Sequence, residues 1–178
     1  MLVTISGLPG SGTSTASRAV ADALGLDHVD GGQVFRALAA ERGVDLTAFS
    51  RIAEDDPTID VELDTRLAER GQKGDVVLES RLAGWIAHNE GLDGFRVWMA
   101  CDDGERARRV AQREGRTPNE ARRLNEIRET SEAQRYRAYY GIDIADLTPY
   151  DLVVDTTITP KAEVAARVVA AARAAFPG

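Results

Sequence analysis

A chain of 178 residues with 43% hydrophobic residues, 29% charged residues and a net charge of −7 has the size of one domain with a proper core, which excludes global disorder. The acidic balance argues against wrapping nucleic acid or lying on an anionic membrane, both of which select a basic face. No run approaches the ~20 apolar residues of a membrane span, the start has no secretory pattern, and one cysteine (Cys101) with two histidines (His28, His88) makes neither an internal disulfide nor a structural zinc site, so the expectation is a cytoplasmic protein with small ligands.

Leu2–Ser6 reads as the first strand, and Gly7–Ser14 is a Gly-rich turn. From Ser14 to Leu24 the spacing predicts a helix with Ala16, Ala19, Val20 and Ala23 on one face. A second strand, Asp27–Asp30, leads to a helix carrying Val34, Phe35, Leu38 and Ala39, and 44–74 reads as a helical excursion. Val76–Glu79 and Phe95–Met99 are the third and fourth strands. Thr117-Pro118-Asn119-Glu120 has the form of a capping box with Pro at the first helical position. The helix it opens offers only Ala121, Leu124 and Ile127 as core formers amid dense charge, so it is expected to be poorly buried and mobile. Leu152–Asp155 is the fifth strand, and Thr159-Pro160 opens a last helix with Val164, Val168 and Ala171 as its buried stripe. Strands alternating with helical stretches predict an α/β fold around a parallel sheet.

The charge is unevenly spread: Asp103 to Arg137 holds ten arginines against seven acidic residues, and the whole chain has only two lysines, Lys73 and Lys161. Chemistry concentrates first in Gly7-Leu8-Pro9-Gly10-Ser11-Gly12-Thr13-Ser14, which follows a strand and opens a helix, where a phosphate-cradling loop has to be. Its glycines allow successive backbone N–H groups to point inward, the helix N-terminus adds positive potential, and Ser14 offers a hydroxyl to Mg²⁺. The pattern departs from a P-loop at Thr13, which stands where a lysine reaches the β- and γ-phosphates. Arg36 and Arg81 lie at the carboxyl edge of the second and third strands, the edge where open α/β sheets bind ligands. They suit a phosphate, or else they are surface arginines paired with nearby acids.

Four segments, in order, carry a resemblance: Ile5–Thr13, Gly32-Gln33-Val34-Phe35-Arg36, Leu78-Glu79-Ser80-Arg81-Leu82-Ala83-Gly84-Trp85, and Tyr139–Ile144 through Tyr150–Thr156. The chain resembles the small nucleoside monophosphate kinases, most closely the archaeal-type cytidylate kinases. The resemblance implies one domain over 1–178, a five-stranded sheet ordered 2-3-1-4-5, a monophosphate-binding insert at about 31–74 and an Arg-rich lid at about 114–140. It implies Mg-ATP as phosphoryl donor, bound at Gly7 to Ser14 with Ser14 on the metal, and CMP or dCMP as the favoured acceptor, its phosphate held by Arg36 and Arg81. Arg113, Arg116, Arg128 and Arg135 resemble lid arginines, with Arg116, Arg128 and Arg135 as the catalytic set. For most of the ten arginines a solvated helix laced with i,i+4 pairs is the plainer reading, but Arg128 and Arg135 are seven apart and share a helix face.

Some positions stay open. Asp30, Gly31 and Gly32 either present backbone to the acceptor or simply turn the chain. Bacterial relatives carry an Asp after the arginine of a Gly-Arg-Asp segment to read cytosine; here that position is Leu82, so Glu79 and Ser80 are candidate readers, and Trp85 is either a stacking partner or core. Cys101 reads as a buried thiol, Trp98 and Met99 as core, and His28 and His88 as isolated. Beside the kinase stand two alternatives: a kinase for a modified pyrimidine nucleotide or other phosphorylated metabolite, and a non-catalytic nucleotide binder, which Thr13 motivates. No nucleic acid or membrane partner and no second copy of the chain are expected.

Overall fold

The computed structural model describes residues 1–176, without the side chains of residues 46 and 47. Five parallel strands, β1 (Leu2–Gly7), β2 (Asp27–Asp30), β3 (Val76–Glu79), β4 (Phe95–Ala100) and β5 (Leu152–Asp155), form one sheet in the order β2-β3-β1-β4-β5, as expected. Parallel neighbours need crossovers, and these supply α1 (Thr13–Leu24), α2 (Gly31–Glu41), α3 (Leu46–Asp55), α4 (Pro57–Gln72), α5 (Ala83–Asn89), α6 (Asp103–Glu114), α7 (Pro118–Tyr140) and α8 (Lys161–Ala175). Three helices, α2 to α4, therefore lie between β2 and β3, and two, α6 and α7, between β4 and β5. No described helix is long and apolar enough to cross a membrane.

The period-2 alternation of the strands sorts the core into two layers. Val3, Ile5, Val77, Val97, Met99 and Val154 meet Ala16, Val20 and Ala21 of α1 and Val164, Val168 and Ala172 of α8. On the other face Leu2, Val76 and Leu78 meet Leu67 of α4, Leu82 to Ala87 around α5, and Tyr136 of α7. Each fully buried Leu, Val or Ile contributes about 1.5–3 kcal/mol, which makes this double-sided burial the main stabilising term.

Several expectations shift by a residue. In α1 the buried residues are Ala16, Ser17, Val20 and Ala21, while Ala23 is exposed, because α1 must pack against α8 as well as the sheet. In α8 the stripe ends on Ala172, with Ala171 only half-buried. Thr159 does not cap α8: its hydroxyl donates back to the Asp155 carbonyl at 2.8 Å, and Pro160 takes the cap position. Thr117 and Glu120 do form the reciprocal capping box of α7. Leu124 and Ile127 are exposed, and α7 is instead buried through Ala121, Asn125, Glu132 and Tyr136, since Ala121 packs on α6, Glu132 pairs with Arg81 and Tyr136 joins the apolar cluster of α4 and α5. Trp98 and Met99 are core as expected, whereas Cys101, just past β4, is half-buried.

Candidate active site

The turn after β1 is built as a cradle. Gly10 and Gly12 have φ of 85° and 91°, left-handed values that favour glycine, and a Cβ on Gly10 would stand 2.5 Å from the Arg106 carbonyl oxygen. Gly12 caps α1, whose first amide N–H groups have no intrahelical acceptor and carry the positive end of the helix dipole. The outside of the turn is tied down: Arg106 donates to the Pro9 carbonyl at 3.2 Å, Arg109 to the Gly10 carbonyl at 3.4 Å, and the Thr156 hydroxyl to the Ser11 carbonyl at 2.8 Å. With these carbonyls engaged from behind, the loop presents its amides to an anion.

Arg106, 4% exposed, is neutralised by Asp103 and Glu129, and burial and these two carboxylates pull its affinity for the proton in opposite directions, the carboxylates prevailing. Sequence reasoning missed Arg106, Arg109 and Thr156. A signal existed for the first: Arg106 shares the helical stripe of Ala107, Val110 and Ala111, an odd place for a solvated arginine.

Ser14, the second residue of α1, lies on the sheet face that also carries Glu79, and its hydroxyl donates to Glu79 Oε1 at 2.5 Å; His28 Nε2 lies 2.9 Å from Oε2. The parallel register pairs β2 Asp30 with β3 Glu79, and alternation puts His28, Val77 and Glu79 on one side. His28 is therefore not isolated, and Glu79 is turned to Ser14 rather than to an acceptor base. In phosphate sites Mg²⁺ takes one or two protein oxygens and completes its octahedron with water and phosphate oxygens. A hydroxyl and a 6%-exposed carboxylate side by side at the cradle's mouth fit that demand.

Arg81, at the end of β3, donates through Nη1 to the Gly7 carbonyl at 2.8 Å and through Nε to Glu132 Oε2 at 3.0 Å. Arg128 holds the other oxygen of Glu132 at 2.8 Å. Burial raises the proton affinity of Glu132, but Arg81 and Arg128 outweigh it and hold the carboxyl below its ordinary range. Arg135, on the same inner face of α7, turns instead to Asp60 of α4, 3.5 Å away. Arg36 is half exposed and 3.7 Å from Asp30, whose carboxylate caps α2 by accepting from Gly32 N at 2.8 Å. Arg113 and Arg116 both pair with Glu114 at the α6–α7 turn. The structure thus gathers Arg81 and Arg128 beside the loop, sends Arg135 to α4, and leaves Arg36, Arg113 and Arg116 near solvent with local acids. A groove of about 630 Å³ flanks α7 between Glu54, Ile127 and Tyr139, away from the loop.

A glycine-rich cradle at a helix start, with a hydroxyl, a carboxylate and clustered guanidiniums at the carboxyl edge of a 2-3-1-4-5 sheet, defines a P-loop kinase. Solved structures share that fold: a shikimate kinase from Bacteroides thetaiotaomicron (TM-score 0.64, 12% identity, covering 98% of this chain and 97% of that one) and a gluconokinase from Sinorhizobium meliloti (0.63, 17%, 94% and 89%). Sequence narrows the class. The model of the cytidylate kinase-like family matches residues 2–158, and the chain belongs to that family. It is 46% identical over 164 residues to the cytidylate kinase of Methanopyrus kandleri (88% of this chain, 85% of that protein) and 52% identical over 157 residues to the cytidylate kinase of Halobacterium salinarum (88% and 81%). The chain is a kinase.

Proposed function

We propose that this kinase transfers the γ-phosphoryl group of ATP to CMP or dCMP, giving the corresponding diphosphate and ADP. The observation that carries the reading is Arg81, whose one guanidinium meets both the Gly7 carbonyl of the cradle and Glu132 of α7, so donor and acceptor phosphates would meet beside a fixed positive charge. The names borne by the relatives supply the base.

In this reading Gly7 to Ser14 hold the donor phosphates on backbone amides, and Arg36 and Arg81 hold the acceptor phosphate. An oxygen of the acceptor phosphate attacks the γ-phosphorus, the bond to the β–γ bridging oxygen breaks, and ADP leaves. No general base is needed, because the nucleophile is already anionic. Phosphoryl transfer depends on positioning and on neutralising spread charge, which Arg81, Arg128, Arg135 and Arg116 would supply as α7 and the α6–α7 turn close as a lid. Ser14 and Glu79 would hold Mg²⁺, which when bound neutralises donor phosphate charge. The α2–α4 segment would form the acceptor side, in a monomer acting in the cytoplasm among its nucleotide substrates.

ADP formation measured against a panel of CMP, dCMP, UMP, AMP and GMP tests the acceptor. CMP and dCMP should stimulate it well above AMP and GMP, with UMP intermediate; equal turnover with all, or none with any, overturns the proposed acceptor.

A further inference from the structure

Asp60 and Asp64 stand one helical turn apart on α4, the side of α4 that meets α7. Asp60 is 5% exposed, and its Oδ2, 3.5 Å from Arg135 Nε, accepts no hydrogen bond; Arg135 Nε donates none. Asp64 lies beside the Tyr140 hydroxyl, and burial pushes its carboxyl up to about 7 against the pull of that hydroxyl. Ser80 Oγ, at the end of β3, and Trp85 Nε1, in α5, are also buried without a partner. Buried polar atoms are nearly always satisfied, and several unsatisfied ones on α4, α7, α5 and the end of β3 call for an explanation. Trp85, Tyr136 and Tyr140 pack on the same apolar cluster as Leu67 of α4, so flat apolar rings and polar atoms without hydrogen-bond partners lie on elements packed against one another. A heteroaromatic ring needs both.

Resting on the acceptor proposed above, we infer that Asp60 selects the base, accepting a hydrogen bond from the exocyclic 4-amino group of cytosine. The direction follows from α7. Glu132 sits against Arg81 at the phosphate end, Arg135 lies three residues on, and Tyr140 eight residues on, about 12 Å further along the helix. An acceptor whose phosphate meets Arg81 therefore points its nucleoside toward Asp60. Uracil carries a carbonyl where cytosine carries the amino group, so a buried carboxylate facing it leaves two acceptors unpaired. A site built for a donor rejects an analogue lacking one far more strongly than an apolar pocket does. An ion pair that only ties α4 to α7 would account for Asp60 and Arg135, but not for Ser80 Oγ and Trp85 Nε1, which are buried without a hydrogen-bond partner.

The test starts with the unaltered enzyme and three acceptors: CMP, UMP, and the 5′-monophosphate of the pyrimidin-2-one riboside, which lacks only the 4-amino group. CMP should exceed each of the others in kcat/KM by at least about tenfold. In Asp60→Asn the new amide can donate to the uracil carbonyl. The CMP-to-UMP ratio should fall by at least about tenfold, while ATP affinity by calorimetry stays within about twofold of the parent. Equal use of CMP and the deaminated analogue, or a folded Asp60→Asn that keeps the parent ratio, overturns the inference. If that variant does not fold, the analogue comparison decides alone. Absence of turnover with every pyrimidine monophosphate is a failure of the proposed acceptor itself and takes the inference with it.

Discussion

Arg81 donates to the backbone oxygen of Gly7 at 2.8 Å, joining the end of β3 to the first residue of the glycine-rich loop. The guanidinium is thereby locked on two sides, since Glu132 takes its Nε. Arg81→Ala should raise the acceptor KM or lower kcat, together by about 10²–10³-fold in kcat/KM, and leave ATP affinity nearly intact. Steady-state kinetics with ATP binding measured separately check this. Unchanged acceptor kinetics in a folded variant would reduce Arg81 to a structural tie.

Glu132 is buried between Arg81 and Arg128 with its carboxyl held below the ordinary range. A depressed carboxylate contributes stability that is present above its unfolded value and is lost as pH falls through the folded one. Glu132→Gln should therefore lower stability at pH 7 by about 1–3 kcal/mol and flatten the loss of stability below pH ~4. Chemical denaturation at several pH values reads both effects.

Asp64 has the opposite sign. Its folded value of about 7 lies above that of an unfolded aspartate, so the folded state holds a proton that the unfolded chain has already released, and stability falls as pH rises from ~4 toward 7. Asp64→Asn removes this cost and should stabilise the protein at pH 8 by about 1–3 kcal/mol. A variant no more stable than the parent at pH 8, with the same pH profile, would refute the assignment.

Thr13 cannot supply the charge of a P-loop lysine, and we expect arginines of α7 to do so on closure. Arg128→Ala and Arg135→Ala should then cost kcat more than Thr13→Ala does, and acceptor binding should tighten ATP binding, a coupling that runs equally in both directions. Calorimetric titration of ATP with and without acceptor measures the coupling. Equal ATP affinity in both, or a more damaging Thr13→Ala, would give Thr13 a direct role.

His28 holds the second oxygen of Glu79 at 2.9 Å. His28→Ala should raise the Mg²⁺ concentration needed for half-maximal rate by about tenfold, the scale seen when a partner behind a metal-binding group is removed. His28→Gln, which keeps a donor, should recover part of it. Binding of ATP without metal should not move, and a variant with the parent's Mg²⁺ requirement would leave His28 with no part in the site.

What the sequence determined by itself is what short-range rules decide. Strand and helix alternation sets the α/β class because parallel neighbours require crossovers. The Gly7 to Ser14 turn declares itself because only glycines tolerate the conformations at Gly10 and Gly12, and the Thr117–Glu120 capping box closes within three residues. Arg81 was legible from its place at a strand end. The partners of these groups were not. His28 and Glu79 are 51 residues apart, as are Arg81 and Glu132, while the loop carbonyls are tied to Arg106 and Arg109 from nearly a hundred residues away. Of ten similar arginines, the tertiary structure alone decided that Arg106 would be buried under the loop, Arg128 set beside Arg81, Arg135 turned to Asp60, and Arg113 and Arg116 left with Glu114. A guanidinium's reach is several ångströms and its charge is the same everywhere, so its role depends on which carboxylate or carbonyl the packing of helices on the sheet brings within hydrogen-bond distance.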